Sequence, residues 1–233
     1  MTLVLYQLIG KDHRHYSGPC WRVRMALAHK ALDVRCVDFH HGDVEKIAFS
    51  GQTKVPVLVD GDRVVSDSWA IACYLDDAYP DRPVLMEGPH GRALTRMINF
   101  WADTQLDQPI VRSSFLDILH NLHPDADPVA FRASRETRMG KTLEALQADH
   151  TANVAELARN LLPVRTLLLK QPWINGAAPA YADYIVFGSL QFPRCLIGRR
   201  FVADDDPVLE WFRRMTTLFN GLANSGPLFS ESP

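Results

Sequence analysis

The chain has 233 residues, of which 47% are hydrophobic and 22% are charged, a composition typical of a globular protein with one large core or two modest ones. The formal net charge is −2 and the pI about 6.5, so no basic excess indicates nucleic acid or an anionic membrane surface as a partner. No apolar run approaches the roughly 18–20 residues that span a bilayer, and the first ten residues lack the basic flank and longer apolar stretch of a signal peptide. We therefore expect a cytoplasmic protein with no nucleic-acid or membrane partner.

Cysteine and histidine spacing predicts neither a disulfide framework nor a metal centre. The four cysteines are widely scattered and form no Cys-x-x-Cys pair or zinc-type ligand spacing. The histidine clusters are His13 with His15 and His40 with His41, both in polar stretches without a matching acidic partner. We interpret these histidines as solvated and expect no metal. The cysteines are Cys20, Cys36, Cys73 and Cys195.

The first 80 residues alternate between strand-like and helix-like patterns. Leu3–Ile9 is apolar and predicts a buried strand, while Pro19–Lys30 has helical periodicity and carries a capping candidate, Ser17 or Gly18, before it. A final helix begins at Asp67-Ser68 and is stopped by Pro80. With a short helix after the second strand, the order βαβαββα predicts a compact α/β domain over residues 1–80. The remaining strands are expected at Val34–Phe39, Val55–Val59 and Arg63–Ser66, the last two joined by a turn at Asp60-Gly61-Asp62.

The rest of the chain predicts helices throughout. Residues 81–89 are rich in proline and charge and are expected to form a linker to an all-helical domain over residues 90–233. The strongest apolar stripe runs from Val208 to Leu222, and Tyr184–Leu190 is apolar nearly all round, as in a helix buried on every side. The predicted fold class is therefore α/β followed by an all-α helical bundle.

Lys54-Val55-Pro56-Val57-Leu58 is the first sequence that indicates a binding site. A proline close to a strand start cannot donate a ladder hydrogen bond. One interpretation is a cis Val55-Pro56 bond that lets Val55 offer its N–H and C=O to an extended peptide; the other is a trans proline at a sheet edge.

Ser66-Asp67-Ser68, at the start of the next predicted helix, is the second sequence that indicates a binding site. A hydroxyl and backbone N–H groups at a helix N-terminus suit a carboxylate, and Asp67 suits an α-ammonium group. The alternative is an ordinary N-cap.

Together these sequences resemble the glutathione-binding site of the glutathione transferases. That family has a thioredoxin-like half in which a Val-Pro pair is followed about a dozen residues later by Glu/Asp-Ser and a helix with a Tyr-Leu pattern, found here as Ala70-Ile71-Ala72-Cys73-Tyr74-Leu75. The resemblance implies that Val55 pairs with the cysteinyl backbone of glutathione and that Asp67 and Ser68 hold its γ-glutamyl end. It assigns Lys54 and Pro56 to the same glutathione site.

Ser17-Gly18-Pro19-Cys20-Trp21-Arg22 lies at the junction where this family keeps its activating residue. Ser17 occupies the position of that activating residue. A hydroxyl donor at a helix N-terminus favours a thiolate over a thiol. Two alternatives stay open: adjacent Tyr16 as the donor, and Cys20 as a nucleophile that forms a mixed disulfide with glutathione.

Runs in both halves resemble, more narrowly, the fungal-type (FuA-like) transferases and the bacterial lignin β-aryl-etherase group. The resemblance implies a homodimer in which the glutathione thiol attacks an apolar, aromatic electrophile, with β-aryl ether cleavage as one form. A glutathione-dependent disulfide reductase acting through Cys20 and a non-catalytic carrier of glutathione or aromatic ligands are the alternatives. The second-substrate pocket is expected to include Trp21, Trp101 and Phe115. The runs are Phe131–Glu144, Cys20–Arg22 together with Met25–Lys30, and Tyr181–Gly188.

One departure from the family pattern is visible at the start of the predicted central helix. The family has Ser or Thr three residues before Asp183, and this chain has Ala180. Asp183 is still expected to accept a bond from a backbone N–H there, at a loss of about 1 kcal/mol for the missing hydroxyl.

Overall fold

The structure is a computed structural model that describes residues 2–198 and 202–229. Its N-terminal half contains a four-stranded sheet in the order β2-β1-β3-β4. β1 pairs parallel to β2 and antiparallel to β3, and β3 pairs antiparallel to β4. The strands are β1 (Leu3–Leu8), β2 (Val34–Phe39), β3 (Val57–Asp60) and β4 (Arg63–Ser66).

Two α-helices pack with this sheet, and 3-10 turns occupy Lys11–His13 and Val44–Ser50. α1 spans Gly18–His29 and α2 spans Ser68–Ala78. The thioredoxin-like arrangement predicted from the sequence is confirmed. α1 and α2 differ from the predicted ends by one or two residues, as frayed helix ends commonly do.

The predicted third strand is wrong at its beginning. Val55 and Pro56 lie outside the ladder, and β3 begins at Val57, because Pro56 has no N–H to donate to a neighbouring strand. The Val55-Pro56 peptide bond is cis, as in the first of the two interpretations of this pair; the pairing of Val55 with a peptide stays a prediction. β3 and β4 are joined through Gly61-Asp62, since Asp60 pairs with Arg63.

The remaining described chain is helical, as predicted. α10 is the central helix, and fifteen of its seventeen residues are buried. The helices are α3 (Gly88–Trp101), α4 (Asp107–Arg112), α5 (Phe115–His120), α6 (Pro128–Met139), α7 (Leu143–Ala148), α8 (His150–Asn160), α9 (Leu162–Leu168), α10 (Tyr181–Ile197) and α11 (Pro207–Gly221). A π-helical turn at Ala102–Leu106 joins α3 to α4, and a 3-10 turn at Leu222–Asn224 follows α11.

Asp183 holds the beginning of α10, as the sequence predicts. Its carboxylate accepts hydrogen bonds from the Ala180 N–H at 3.2 Å, the Ile174 N–H at 2.7 Å and the Trp211 indole N–H at 2.9 Å. The side chain is fully buried. Burial raises the pKa of this carboxyl, and the hydrogen bond from Trp211 partly offsets that effect.

A close crossing of α1 and α10 joins the two halves of the molecule. Two glycines meet there: a Cβ added to Gly188 would lie 2.6 Å from the carbonyl oxygen of Gly18, and one added to Gly18 would lie 2.9 Å from the carbonyl oxygen of Gly188. Real side chains do not tolerate such contacts, so both positions require glycine. This crossing fixes the N-terminal end of α1 against the helical half.

Arg22 on α1 makes a buried charged contact between the halves. Its guanidinium donates to Asp103 at 2.6 Å and to Asp107 at 2.9 Å. Only 2% of the Arg22 side chain is exposed. Burial opposes its charge, but Asp107 and then Asp103 raise the pKa of the guanidinium above its ordinary value.

A second buried pair holds the connection between the halves. The ammonium of Lys30, at the end of α1, lies 2.8 Å from a carboxylate oxygen of Asp76. The same carboxylate accepts from the backbone N–H groups of Leu85 and Met86 at 2.9 and 3.0 Å. Asp76 therefore ties α1 to the connection that follows α2.

Within residues 2–198 and 202–229, no helix is long and apolar enough to cross a membrane.

Candidate functional site

Ser17 is the N-cap of α1. Its hydroxyl oxygen accepts a hydrogen bond from the Cys20 N–H at 3.3 Å, and Pro19 follows within the first turn of the helix. The capping bond uses a lone pair of the oxygen, so the hydroxyl hydrogen stays available to donate. The positive end of the helix dipole lies at the same point and favours a nearby anion.

The two alternatives to Ser17 lie beside it but are buried. The Tyr16 side chain is 2% exposed, and its hydroxyl makes no hydrogen bond to any residue the structure describes. Burial raises the pKa of Tyr16 far above its ordinary value, so it stays a neutral donor. Cys20 is also 2% exposed, and burial raises the pKa of its thiol, an effect that the hydrogen bond with Ser17 partly offsets. A buried, protonated thiol is a poor nucleophile.

A cavity of about 350 Å³, here called the hairpin cavity, brings together the residues predicted to hold glutathione. The backbone of Val55 lies off the ladder beside the cavity, and its side chain is half-buried. Lys54 is exposed at the rim, Pro56 is buried, and Ser68 is 4% exposed. The cavity's lining includes Lys54, Val55, Pro56, Asp67, Ser68 and, from α1, Pro19 and Arg22.

Asp67 caps α2 and also faces the hairpin cavity. One of its carboxylate oxygens, Oδ1, accepts from the N–H groups of Trp69 and Ala70, both at 3.0 Å, so Oδ2 stays available for another partner. Its backbone has φ 78° and ψ 133°, a conformation that non-glycine residues rarely adopt and that occurs most often at functional sites. The two readings of Asp67, as a helix cap and as a ligand, are therefore compatible.

A second cavity of about 240 Å³, here called the helical cavity, is lined by Ser17 and lies between the sheet and the helical half. Pro19 lines both cavities. Most of its lining is apolar, and Ser17 and Tyr16 are at its wall. Its apolar lining includes Leu8, Val111, Phe115, Ile118, Phe131 and Phe192.

Of the three aromatic residues expected in the second pocket, Phe115 alone lines the helical cavity. Trp21 is 3% exposed and packs edge-on against Phe187 in the core, where its indole N–H donates to the His15 carbonyl at 2.6 Å. Trp101 lies half-buried at the end of α3 and lines neither cavity. Large aromatic side chains are commonly buried in cores, so residue type alone did not distinguish the two environments.

Sequence reasoning missed three basic residues at the helical cavity: His41, Arg135 and Arg138. All three also line a third, open cavity that reaches Lys54 and Val55, and so connects the helical cavity to the glutathione side. Burial, then the positive charges of Arg135 and His40, lowers the pKa of His41 to about 4, so its ring is neutral at pH 7. The arginines of α6 recur every three residues, but Arg132 shares this spacing and lies outside the cavity, so the spacing alone does not identify the two that line it.

The expected lack of acidic partners is wrong for His13 and His40, although the His13 side chain is 73% exposed, as expected of a solvated histidine. His13 lies 3.9 Å from Asp38, and His40 lies 3.6 Å from Asp43. The ring of His40 stacks on that of His123 with centroids 4.8 Å apart. Asp38 and His123 come from separate elements, which local sequence does not show, whereas Asp43 lies only three residues after His40. The ligand atoms of His40, His123 and Asp125 all lie within 4.8 Å of one another, so the expected absence of a metal stays a prediction.

Comparison with known proteins identifies the family. The model of the glutathione S-transferase N-terminal domain matches residues 13–83, and that of the glutathione S-transferase C-terminal domain matches residues 93–215. The second match alone covers more than half of the chain. The chain belongs to the glutathione S-transferase family. This glutathione S-transferase family member has its hairpin cavity in the first matched region and most of its helical cavity in the second.

Similar proteins span several organisms. Glutathione S-transferase Z2 of Arabidopsis thaliana is 41% identical over 97 residues, which are 38% of this chain and 43% of that protein; the chain thus spans about two fifths of the curated relative. A glutathione S-transferase of Ceriporiopsis subvermispora, solved in complex with glutathione, has a TM-score of 0.79 at 20% identity over 97% of this chain and 99% of the other. GSTFuA2 of Phanerochaete chrysosporium has a TM-score of 0.76 at 22% identity over 95% and 93%. At these identities the two structures show a shared fold.

Proposed function

We propose that this protein is a glutathione transferase that binds glutathione in the hairpin cavity and activates its thiol with Ser17. The observation that carries the proposal is the position of Ser17 at the N-terminus of α1. Ser17 lines the mostly apolar helical cavity, and Pro19 in the first turn of the same helix also lines the hairpin cavity, which holds the peptide- and ammonium-binding groups. A glutathione complex of a protein with the same fold supports it.

Each part of glutathione has a complementary group. The cysteinyl backbone pairs with Val55, whose peptide groups are free of the sheet ladder. The γ-glutamyl carboxylate accepts from the Ser68 hydroxyl and the N-terminus of α2, and its ammonium faces the free carboxylate oxygen of Asp67. Lys54 and Pro56 complete the wall.

The reaction begins when the thiol loses its proton to solvent water. A free thiol with a pKa of about 8.5 is only a few percent thiolate at pH 7. The Ser17 hydroxyl donates to the sulfur and, with the α1 dipole, stabilises the anion. The sulfur then forms a bond to an electrophilic carbon held in the helical cavity, and the leaving group departs with the bonding electron pair.

Asp67→Asn tests the binding half of the proposal. Asparagine caps helices about as well as aspartate, so stability is expected to hold while the loss of negative charge weakens glutathione binding roughly tenfold or more. Calorimetric titration with reduced glutathione measures this loss. Asp127→Asn is the matched control, because Asp127 caps α6 with the same pair of bonds. An unchanged affinity in Asp67→Asn contradicts the assignment.

The structure does not favour disulfide reduction through Cys20 as a second function, because that thiol is 2% exposed and its pKa is raised by burial. Cleavage of β-aryl ethers remains one candidate form of the transferase reaction. A cytoplasmic location stays a prediction of the sequence.

We also propose a homodimer that uses the exposed face of α3. Leu94, Met97 and Phe100 repeat at three-residue intervals there and are 63%, 63% and 55% exposed. Contiguous exposed apolar side chains on one helix face are typical of interfaces between subunits.

A further inference from the structure

The arginines of α6 divide into two groups with different partners. Arg132 forms ion pairs with Glu136 and Glu144, both through bonds of about 3 Å. Arg135 and Arg138 have no carboxylate within 4 Å among the residues that the structure describes. Positions 135 and 138 line the helical cavity, whereas position 132 does not.

Aromatic rings and one hydroxyl hold these two side chains in place. The Arg135 guanidinium lies 4.4 Å over the Phe131 ring and donates to the Ser134 hydroxyl at 3.1 Å. The Arg138 guanidinium lies 5.4 Å over the Phe115 ring. Both rings line the helical cavity. Stacking on an aromatic face positions a guanidinium while leaving its N–H groups free in the plane of the group.

Among the described residues that line the helical cavity, no acidic side chain is left unpaired to balance these charges. Asp107 is the acidic residue in the lining, and Arg22 already binds it at 2.9 Å. The Arg135 side chain is half-buried, and burial, followed by the positive charge of Arg138, lowers the pKa of its guanidinium. Guanidinium groups in such a setting recognise planar anions, above all carboxylates, through paired N–H bonds.

We propose that the acceptor substrate carries a carboxylate, which Arg135 and Arg138 bind, next to an aromatic or unsaturated body that packs on Phe115 and Phe131. This proposal rests on the proposed transferase function and replaces an entirely apolar electrophile with an anionic, amphipathic one. The thiolate at Ser17 and the carboxylate site at Arg135 then lie in one cavity, so the reacting carbon is held between them.

A pair of aryl chlorides tests the proposal. 4-Chloro-3-nitrobenzoate and its methyl ester differ in charge but undergo the same displacement, in which the glutathione sulfur bonds to the ring carbon and chloride leaves with its electron pair. Each kcat/KM is divided by the rate constant of the same substrate with glutathione thiolate in solution. This normalisation removes the difference in intrinsic reactivity.

We expect the normalised preference for the acid over the ester to be roughly tenfold to a hundredfold, which is typical of one paired charge-assisted contact. Arg135→Gln and Arg138→Gln should each lower that ratio by about tenfold. Arg132→Gln, on the same helix but paired outside the cavity, should leave the ratio unchanged. The ratio is insensitive to thiolate activation, because both substrates require the same thiolate.

Two results overturn the proposal. One is a normalised ratio near one in the wild type, or a ratio that Arg135→Gln and Arg138→Gln do not change. The other is a loss of glutathione affinity in these variants, measured by calorimetry, with the ratio unchanged, which would assign the arginines to the glycyl carboxylate of glutathione. Failure of the transferase function itself would look different, because neither chloride would then be displaced faster than in solution.

Discussion

Replacing Arg22 by methionine is expected to separate the two halves of the molecule energetically. Methionine keeps most of the buried stem of the side chain but removes the guanidinium that binds Asp103 at 2.6 Å and Asp107 at 2.9 Å. Removing one partner of a buried ion pair costs about 3–5 kcal/mol. Because Asp103 and Asp107 are 43% and 24% exposed and can be hydrated, we expect a smaller loss of about 2–4 kcal/mol.

The loss corresponds to a fall in Tm of roughly 4–16 °C, at about 2–4 °C per kcal/mol for a chain of this size. It should also depend on pH. Burial raises the pKa of the Asp107 carboxyl, and Arg22 partly offsets that effect, so the variant should raise it further. A group whose pKa is raised by folding contributes stability below its unfolded pKa of about 3.9 and loses it as pH rises through its folded pKa. The deficit of the variant is therefore expected to be smaller at pH 5 than at pH 8.

Guanidinium unfolding of wild type and Arg22→Met at both pH values measures these effects. Arg132→Met is the matched control, since Arg132 forms its ion pairs at the surface, where such pairs contribute little. A loss below about 1 kcal/mol, or a deficit that does not change between pH 5 and pH 8, would refute the reasoning.

Two further substitutions test the helix crossing and the proposed dimer. Gly188→Ala should destabilise the protein by about 1–3 kcal/mol, because its Cβ would lie 2.6 Å from the Gly18 carbonyl oxygen. Gly91→Ala is the control and should leave Tm unchanged or raise it, since a Cβ there has no neighbour closer than 3.6 Å. Equal Tm values for the two variants would contradict the close approach of α1 and α10 at Gly188. Met97→Glu should convert the dimer to a monomer in size-exclusion chromatography with light scattering. Leu162→Glu, equally exposed at 61% on α9, should not, and an unchanged mass in Met97→Glu would exclude the α3 face.

The elements that could be predicted from the sequence are those that depend on residues close to one another along the chain. Asp67 before α2 and Asp183 near the start of α10 are capping residues, and their partners lie within a few positions along the chain. The apolar run of α10 needed no tertiary information either, because a helix buried on every side is apolar on every side.

Missed features depend on partners that are distant in sequence. The sequence predicts Arg22 as a polar, solvent-facing position on α1, yet this residue is 1% exposed. It is buried because its partners Asp103 and Asp107 lie 81 and 85 positions later in the chain. Lys30 is buried for the same reason, with Asp76 as its partner. Arg135 and Arg138 lie on a mostly polar helix, so local hydrophobicity does not indicate which face meets the cavity.

The thiol pKa of bound glutathione tests the central claim most directly. It is obtained from the ultraviolet absorption of the thiolate over a pH series with saturated protein. We expect a value about two units below the 8.5 of a free thiol in the wild type and in Ser17→Thr, which keeps both the cap and the hydroxyl. Ser17→Gly keeps the helix end at a cost of only a few tenths of a kcal/mol but removes the hydroxyl. In this variant the pKa of the bound thiol should therefore rise most of the way back to that of free glutathione. A bound thiol that titrates like free glutathione, or the same lowered pKa in Ser17→Gly, would contradict the account.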